Sequence, residues 1–144
     1  PNAREKASFL KENMLPLQES GQLKFINAAE NEHQVSTDLG FDVILVHGHT
    51  ESQMLPLIEK DGQQILFAAD LLPSVGHIPL PYVLGYDTRP LLTLDEKKRI
   101  LDKVADQDIL LFLEHDPDNE CARLKQSERG PVLSSVHTLK EEFK

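Results

Sequence analysis

The sequence predicts a layered α/β domain, and three observations carry that prediction. Short, β-rich apolar runs recur at residues 41–46, 63–69 and 109–113. A helical period over residues 94–104 separates the last two of them. The elements therefore follow the order helix, strands, loop, helix, strand, strands, which is the pattern of an α/β arrangement. With 144 residues the chain is the length of one domain, expected to span 1–144 around one core.

Each element has its own local reason. Ala7, Leu10, Met14 and Leu17 recur at helical spacing, so residues 2–21 read as an amphipathic helix. Pro16 has no N–H and crowds the preceding turn, and the helix is expected to kink or end there. Residues 23–26 are a short strand candidate, and 27–40 a polar loop with a minor strand around 33–36. The run 41–46 is apolar almost throughout, as suits a strand covered on both faces. Asp61-Gly62 lies between the apolar runs 54–59 and 63–69, the strongest short-range signal for a hairpin.

Residues 71–92 carry Pro73, Pro79, Pro81, Pro90, Gly76 and Gly85, and a segment of that kind inside a domain reads as a functional loop. Thr93 and Glu96 have the spacing of a capping box at the start of the next helix. Residues 109–113 are a second buried strand. Residues 122–125 and 131–135 form two short strands turning at Arg129-Gly130, and 136–144 a terminal helix.

Composition narrows the function classes. The 15 Lys and Arg against 24 Asp and Glu give a net charge of -9, which repels nucleic acid and anionic membranes. No apolar run reaches the ~20 residues of a bilayer span. The single cysteine, Cys121, forms no internal disulfide, and with no apolar leader the expected setting is reducing and cytoplasmic. Cys121 itself reads as a small, semi-buried hydrophobe.

Three polar side chains stand where apolar strands run out: His49, Asp70 and His115. Strand ends are where layered α/β folds assemble sites, and imidazole and carboxylate are ligands that zinc accepts. Each residue alone reads more readily as a hydrogen-bonded loop group or a turn cap; their joint occurrence is the signal. His47 could chelate beside His49 if the strand continued through it, but Gly48 loosens the backbone, and a supporting role is expected. His33, His77 and His137 have no partner at a chelating interval and read as solvated. Glu114 reads as a solvent-facing charge. No nucleophile elbow, phosphate loop or dinucleotide fingerprint occurs.

These residues resemble the metal-binding motifs of the metallo-β-lactamase-fold hydrolases. The likeness lies in Gly48-His49-Thr50, in Phe67-Ala68-Ala69-Asp70 after a hairpin, and in Leu113-Glu114-His115-Asp116 after a buried strand. It implies the C-terminal αβ half of an αββα sandwich. By the same resemblance His49 binds one zinc, His115 a second, and Asp70 is the catalytic carboxylate bridging both. Two cations so held acidify a trapped water for attack on an ester, lactone or related electrophile. Tyr82 and Tyr86, in the long loop, become candidate substrate-binding walls. His47 is no ligand in this comparison.

The family's upstream His-x-His-x-Asp-His motif does not occur, so the chain reads as a truncated, C-terminal portion of a metal-dependent hydrolase. Two zinc ions are expected in the whole protein and one or none here, with little activity in this chain alone. The expected partners are a small-molecule substrate and either a second copy or the missing N-terminal half. The alternative from another class is a non-catalytic binding or assembly module without metal.

Overall fold

The computed structural model describes residues 2–29 and 32–143. These fall into two compact units, Pro1–Glu32 and His33–Lys144. In the first, helix α1 spans Lys11–Glu19, and no residue of it is buried. It continues through Pro16 rather than ending there. The proline removes one N–H, but its own carbonyl still accepts from the Ser20 N–H at 3.0 Å, so the last turn closes. Residues 23–26 form no strand.

The second unit is built on a seven-stranded sheet in which the strands lie side by side in chain order. They are β1 (Gln34–Ser36), β2 (Asp42–Val46), β3 (Gln53–Lys60), β4 (Gln63–Phe67), β5 (Leu110–Phe112), β6 (Cys121–Lys125) and β7 (Val132–His137). Every neighbouring pair is antiparallel except β4 and β5, which are parallel. Parallel neighbours need a crossover, and it contains helix α2 (Pro90–Asp106). The β3–β4 hairpin turns on Asp61 and Gly62, at φ 54° and 81°. Two consecutive left-handed residues make the turn whose twist matches the strands, and Asp-Gly tolerates it best.

Strand periodicity sorts the side chains onto two faces. Ile44, Leu55, Leu57, Leu66, Leu111, Ala122 and Leu124 face α2, which covers them with Ile100, Leu101 and Val104. The register confirms the layer, with Ile44 opposite Leu55, Leu57 opposite Leu66, and Leu66 opposite Leu111. The other face carries Phe67 and Phe112, stacked with ring centres 5.7 Å apart, and the half-exposed Met54 and Ile58. Cys121 is fully buried.

Helix α2 starts three residues before the expected cap. Pro90 occupies its first turn, where a missing N–H costs nothing. Thr93 and Glu96 form no capping box: the Thr93 hydroxyl donates to the Arg89 carbonyl, and Glu96 points into the interior. A capping box closes instead around Thr138 and Glu141, opening the short helix α3 (Leu139–Glu142). Among the described residues no helix is long and apolar enough to cross a membrane.

Candidate functional site

His49, Asp70 and His115 lie just past the ends of β2, β4 and β5 and meet at one rim of the sheet. Asp70 stands between the two imidazoles. Its Oδ2 is 3.5 Å from His49 Nε2 and its Oδ1 is 3.3 Å from His115 Nε2. The residue before it, Ala69, takes a left-handed φ of 43°. That conformation is costly for a residue with a Cβ, and it sits at the step from strand end to Asp70.

Each histidine is held by its backbone as well. The N–H of His115 donates to the Pro73 carbonyl at 3.1 Å, bringing the loop after β5 against the one after β4. Next to it, Asp116 accepts from the N–H groups of Val75, Asp118 and Asn119. Burial pushes the Asp116 carboxyl upward, but these donors outweigh it and hold the group below the usual carboxylate range.

The loop carrying His49 is fixed from helix α2. Glu96, buried on the helix, accepts from the His47 N–H at 2.7 Å and the Gly48 N–H at 2.9 Å, one with each carboxylate oxygen. Gly48 lies so close to the helix that a Cβ there would be 2.4–2.6 Å from Thr93 Oγ1, N and Cα. Only glycine fits that approach. On its far side the loop pairs with residues 88–89: Thr88 N–H donates to the His49 carbonyl at 3.1 Å and Arg89 N–H to the Gly48 carbonyl at 2.8 Å.

Behind His49 lies Asp87, buried, with Oδ1 2.9 Å from His49 Nδ1. A carboxylate only accepts, so Nδ1 is the donor in this contact, and Nε2 is the ring edge that faces Asp70. The other Asp87 oxygen, Oδ2, is buried with no hydrogen-bond partner.

The remaining candidates are placed differently. Tyr86 sets its ring edge-on to His49, with centres 5.8 Å apart, while Tyr82 is 61% exposed. His47 turns away from the rim to Glu51, 2.7 Å from its Nδ1. Two histidines expected to be solvated are engaged: His77 with the Ser74 hydroxyl at 2.8 Å, and His137 with Ser135 at 2.6 Å and Glu142 at 2.9 Å. Glu114 is exposed.

The donor set can be tested against a zinc ion. Two atoms that each lie about 2.1 Å from one tetrahedral ion are about 3.4 Å apart. Both Nε2-to-Asp70 separations, 3.5 and 3.3 Å, suit that spacing, and they use different carboxylate oxygens. Neutral imidazole nitrogen and ionised carboxylate are also the right chemistry. Among the described residues no three His, Cys, Asp or Glu side chains are grouped to hold one ion together; the pattern is two pairs sharing Asp70.

Sequence reasoning missed Asp87, misread Glu96 as part of a cap and passed over Lys97. The latter two were legible in principle, since 93, 96, 97, 100, 101 and 104 make one helical stripe and all six are buried. A charge inside such a stripe requires a partner. Asp87 sits in a turn-rich loop that marks it with no such period.

No protein-family model matches the sequence, and no curated protein sequence matches it. Solved structures do share its fold. A hydrolase of the β-lactamase superfamily, AbOPH, superposes with a TM-score of 0.72 at 18% identity, over 89% of this chain and 43% of that one. The dizinc quorum-quenching lactonase AidC, in complex with a product, gives 0.66 at 21% identity, over 96% and 48%. A probable metal-dependent hydrolase from Staphylococcus aureus gives 0.58 at 20%, over 74% and 40%. This chain thus has the fold of the metallo-β-lactamase-type hydrolases, over somewhat less than half the length of those enzymes.

Proposed function

We propose that this chain supplies part of a binuclear zinc centre in a hydrolase of esters or lactones. The observation that carries the reading is the single Asp70 carboxylate set between two imidazole nitrogens, one of them oriented by Asp87. In this reading His49, Asp70 and His115 would be the residues of this chain that hold the zinc. Zinc bound there supplies Lewis acidity, acidifying a water and polarising the electrophile.

The chain's own residues do the positioning. Asp87 keeps the proton of His49 on Nδ1, leaving Nε2 for the metal. Tyr86, edge-on to that ring, forms a wall of the substrate pocket, with Tyr82 at its outer lip. Zinc prefers four ligands, so the remaining donors come from residues outside this chain. The sheet face bearing Met54, Ile58, Phe67 and Phe112 is where the rest of the sandwich, or a second copy, would pack. The similarity to a lactonase favours lactones over other electrophiles.

Zinc content and lactone hydrolysis, measured on the intact protein and on Asp70→Ala and His49→Ala, test the proposal together. Bound zinc should fall in both variants, and hydrolysis should drop by at least about a hundredfold. Zinc content equal to wild type in both would remove the metal centre and favour a non-catalytic module.

A further inference from the structure

A cavity of about 410 Å³ lies between the 75–81 segment, helix α2 and the turn that leads into β7. That volume falls within the range of about 300–1,000 Å³ that encloses a small molecule. The cavity is separate from the metal rim. Strand β5 runs toward the rim, since His115 follows it, and β6 is antiparallel to β5, so the turn of residues 126–131 lies at the far end of the sheet. Of the described residues that line the cavity, none belongs to the rim.

The lining is aliphatic apart from two side chains. Ile78 and Leu101 are its buried part, and Leu80 and Leu133, both half-exposed, its open part. Among the described residues it has no aromatic ring and no carboxylate, and its charges are Lys98 and Arg129, in a chain of net charge -9. Lys98 is shared with Asp102, 2.6 Å away, whereas Arg129 pairs with no carboxylate among the described residues.

The walls are held in shape before anything binds. Lys97, buried in α2, donates to the carbonyls of Pro79 at 2.9 Å, Leu80 at 3.2 Å and Tyr82 at 2.8 Å. In the β6–β7 turn Ser127 and Gly130 exchange N–H to carbonyl bonds at 3.1 Å each, and the Ser127 hydroxyl donates to the Gly130 carbonyl at 2.6 Å. Pro79, Pro81 and Pro131 remove further backbone freedom. A cavity with fixed walls loses little entropy on filling, which is what preorganisation contributes to affinity.

We propose that this cavity binds a free aliphatic carboxylate, with its chain against Ile78, Leu80, Leu101 and Leu133 and its head on Arg129. A lining without rings offers nothing to stack on and suits a flexible chain. The guanidinium fork takes both oxygens of a carboxylate. Arg129 is exposed, so the head stays beside water and only the chain is desolvated. The same chemistry could come from an anionic bilayer lipid, but a net charge of -9 repels such a surface. The site needs neither metal nor turnover and does not rest on the hydrolase reading.

The test titrates decanoate, below the concentration at which it self-associates, into the intact protein with labelled methyl groups. The methyls of Ile78, Leu101 and Leu133 should shift along one saturating curve, while those of Met54 and Ile58, on the other sheet face, stay in place. Arg129→Gln, an exposed change that leaves the core intact, should weaken binding at least about tenfold, as loss of a charge-assisted bond does. Decanol should bind wild type and Arg129→Gln alike. Asp70→Ala should bind decanoate within about twofold of wild type, as expected for a distant site; loss of binding there would place the carboxylate on a metal and overturn the proposal. No saturation up to the solubility limit, shifts confined to Met54 and Ile58, or an Arg129→Gln affinity equal to wild type would overturn it as well. Flotation with phosphatidylglycerol vesicles that is lost in Arg129→Gln would give the site to a membrane instead. A wild-type dimer that Leu133→Glu dissociates in sedimentation would give it to a second copy.

Discussion

His49 meets Asp70 on one edge of its ring and Asp87 on the other, and the second contact decides what the first can do. The contact to Asp87 at 2.9 Å fixes the orientation of the ring and leaves Nε2 facing Asp70. Hydrogen-bond partners behind a metal-binding histidine typically tune affinity by about 10–100-fold. Asp87→Asn keeps the shape of the side chain but replaces a full charge with a weaker acceptor. Zinc affinity of the intact protein, read by competition with a chromophoric chelator, should therefore fall by about 10–100-fold. An affinity within about twofold of wild type would mean that Asp87 only fills space.

At the scale of elements, the fold was legible where a local rule governs and illegible where a distant contact does. The hairpin at Asp61-Gly62 follows from two left-handed residues, and the apolar run of β2 from burial on both faces, so both could be read directly. The three rim residues were readable as polar groups at strand ends. Glu96 was misread because its spacing from Thr93 satisfies a local rule, whereas its carboxylate bridges to N–H groups 48 and 49 residues away. Only the buried stripe that Glu96 shares with residues 93, 97, 100, 101 and 104 separates a brace of that kind from a cap. The brace has a measurable weight, since hydrogen bonds to a buried charged group contribute about 1.5–3 kcal/mol each. Glu96→Gln keeps one acceptor and turns an NH₂ toward the other backbone donor, so it should destabilise the protein by about 2–3 kcal/mol. Urea unfolding checks this: the midpoint should fall with the slope unchanged, and an unshifted midpoint would show that water replaces the carboxylate without penalty.

Across the whole molecule, α2 closes one sheet face, while the other is buried at Val43, Leu45, Leu110 and Cys121 and half-exposed at Met54 and Ile58. The closed face contains a charge whose cost depends on pH. Burial lowers the Lys97 amine to about 8 from an ordinary 10.5, with Asp87 pulling it partly back. Between those values the unfolded chain binds more protons than the folded one, so stability rises with pH, by about 1 kcal/mol from pH 8 to pH 9. Cys121 works in the opposite sense at higher pH. Burial first, then Glu120 and Glu142, raises its thiol to about 11 from 9.0, so the folded chain binds more protons from pH 9 to 11 and this contribution declines as pH rises. The urea midpoint of the intact protein should therefore climb between pH 8 and 9 and flatten beyond it as the two effects meet. In Lys97→Met the climb should vanish while the decline above pH 9 remains. A variant that climbs as wild type does would assign the effect to another group and show that the Lys97 ammonium is not penalised by its burial.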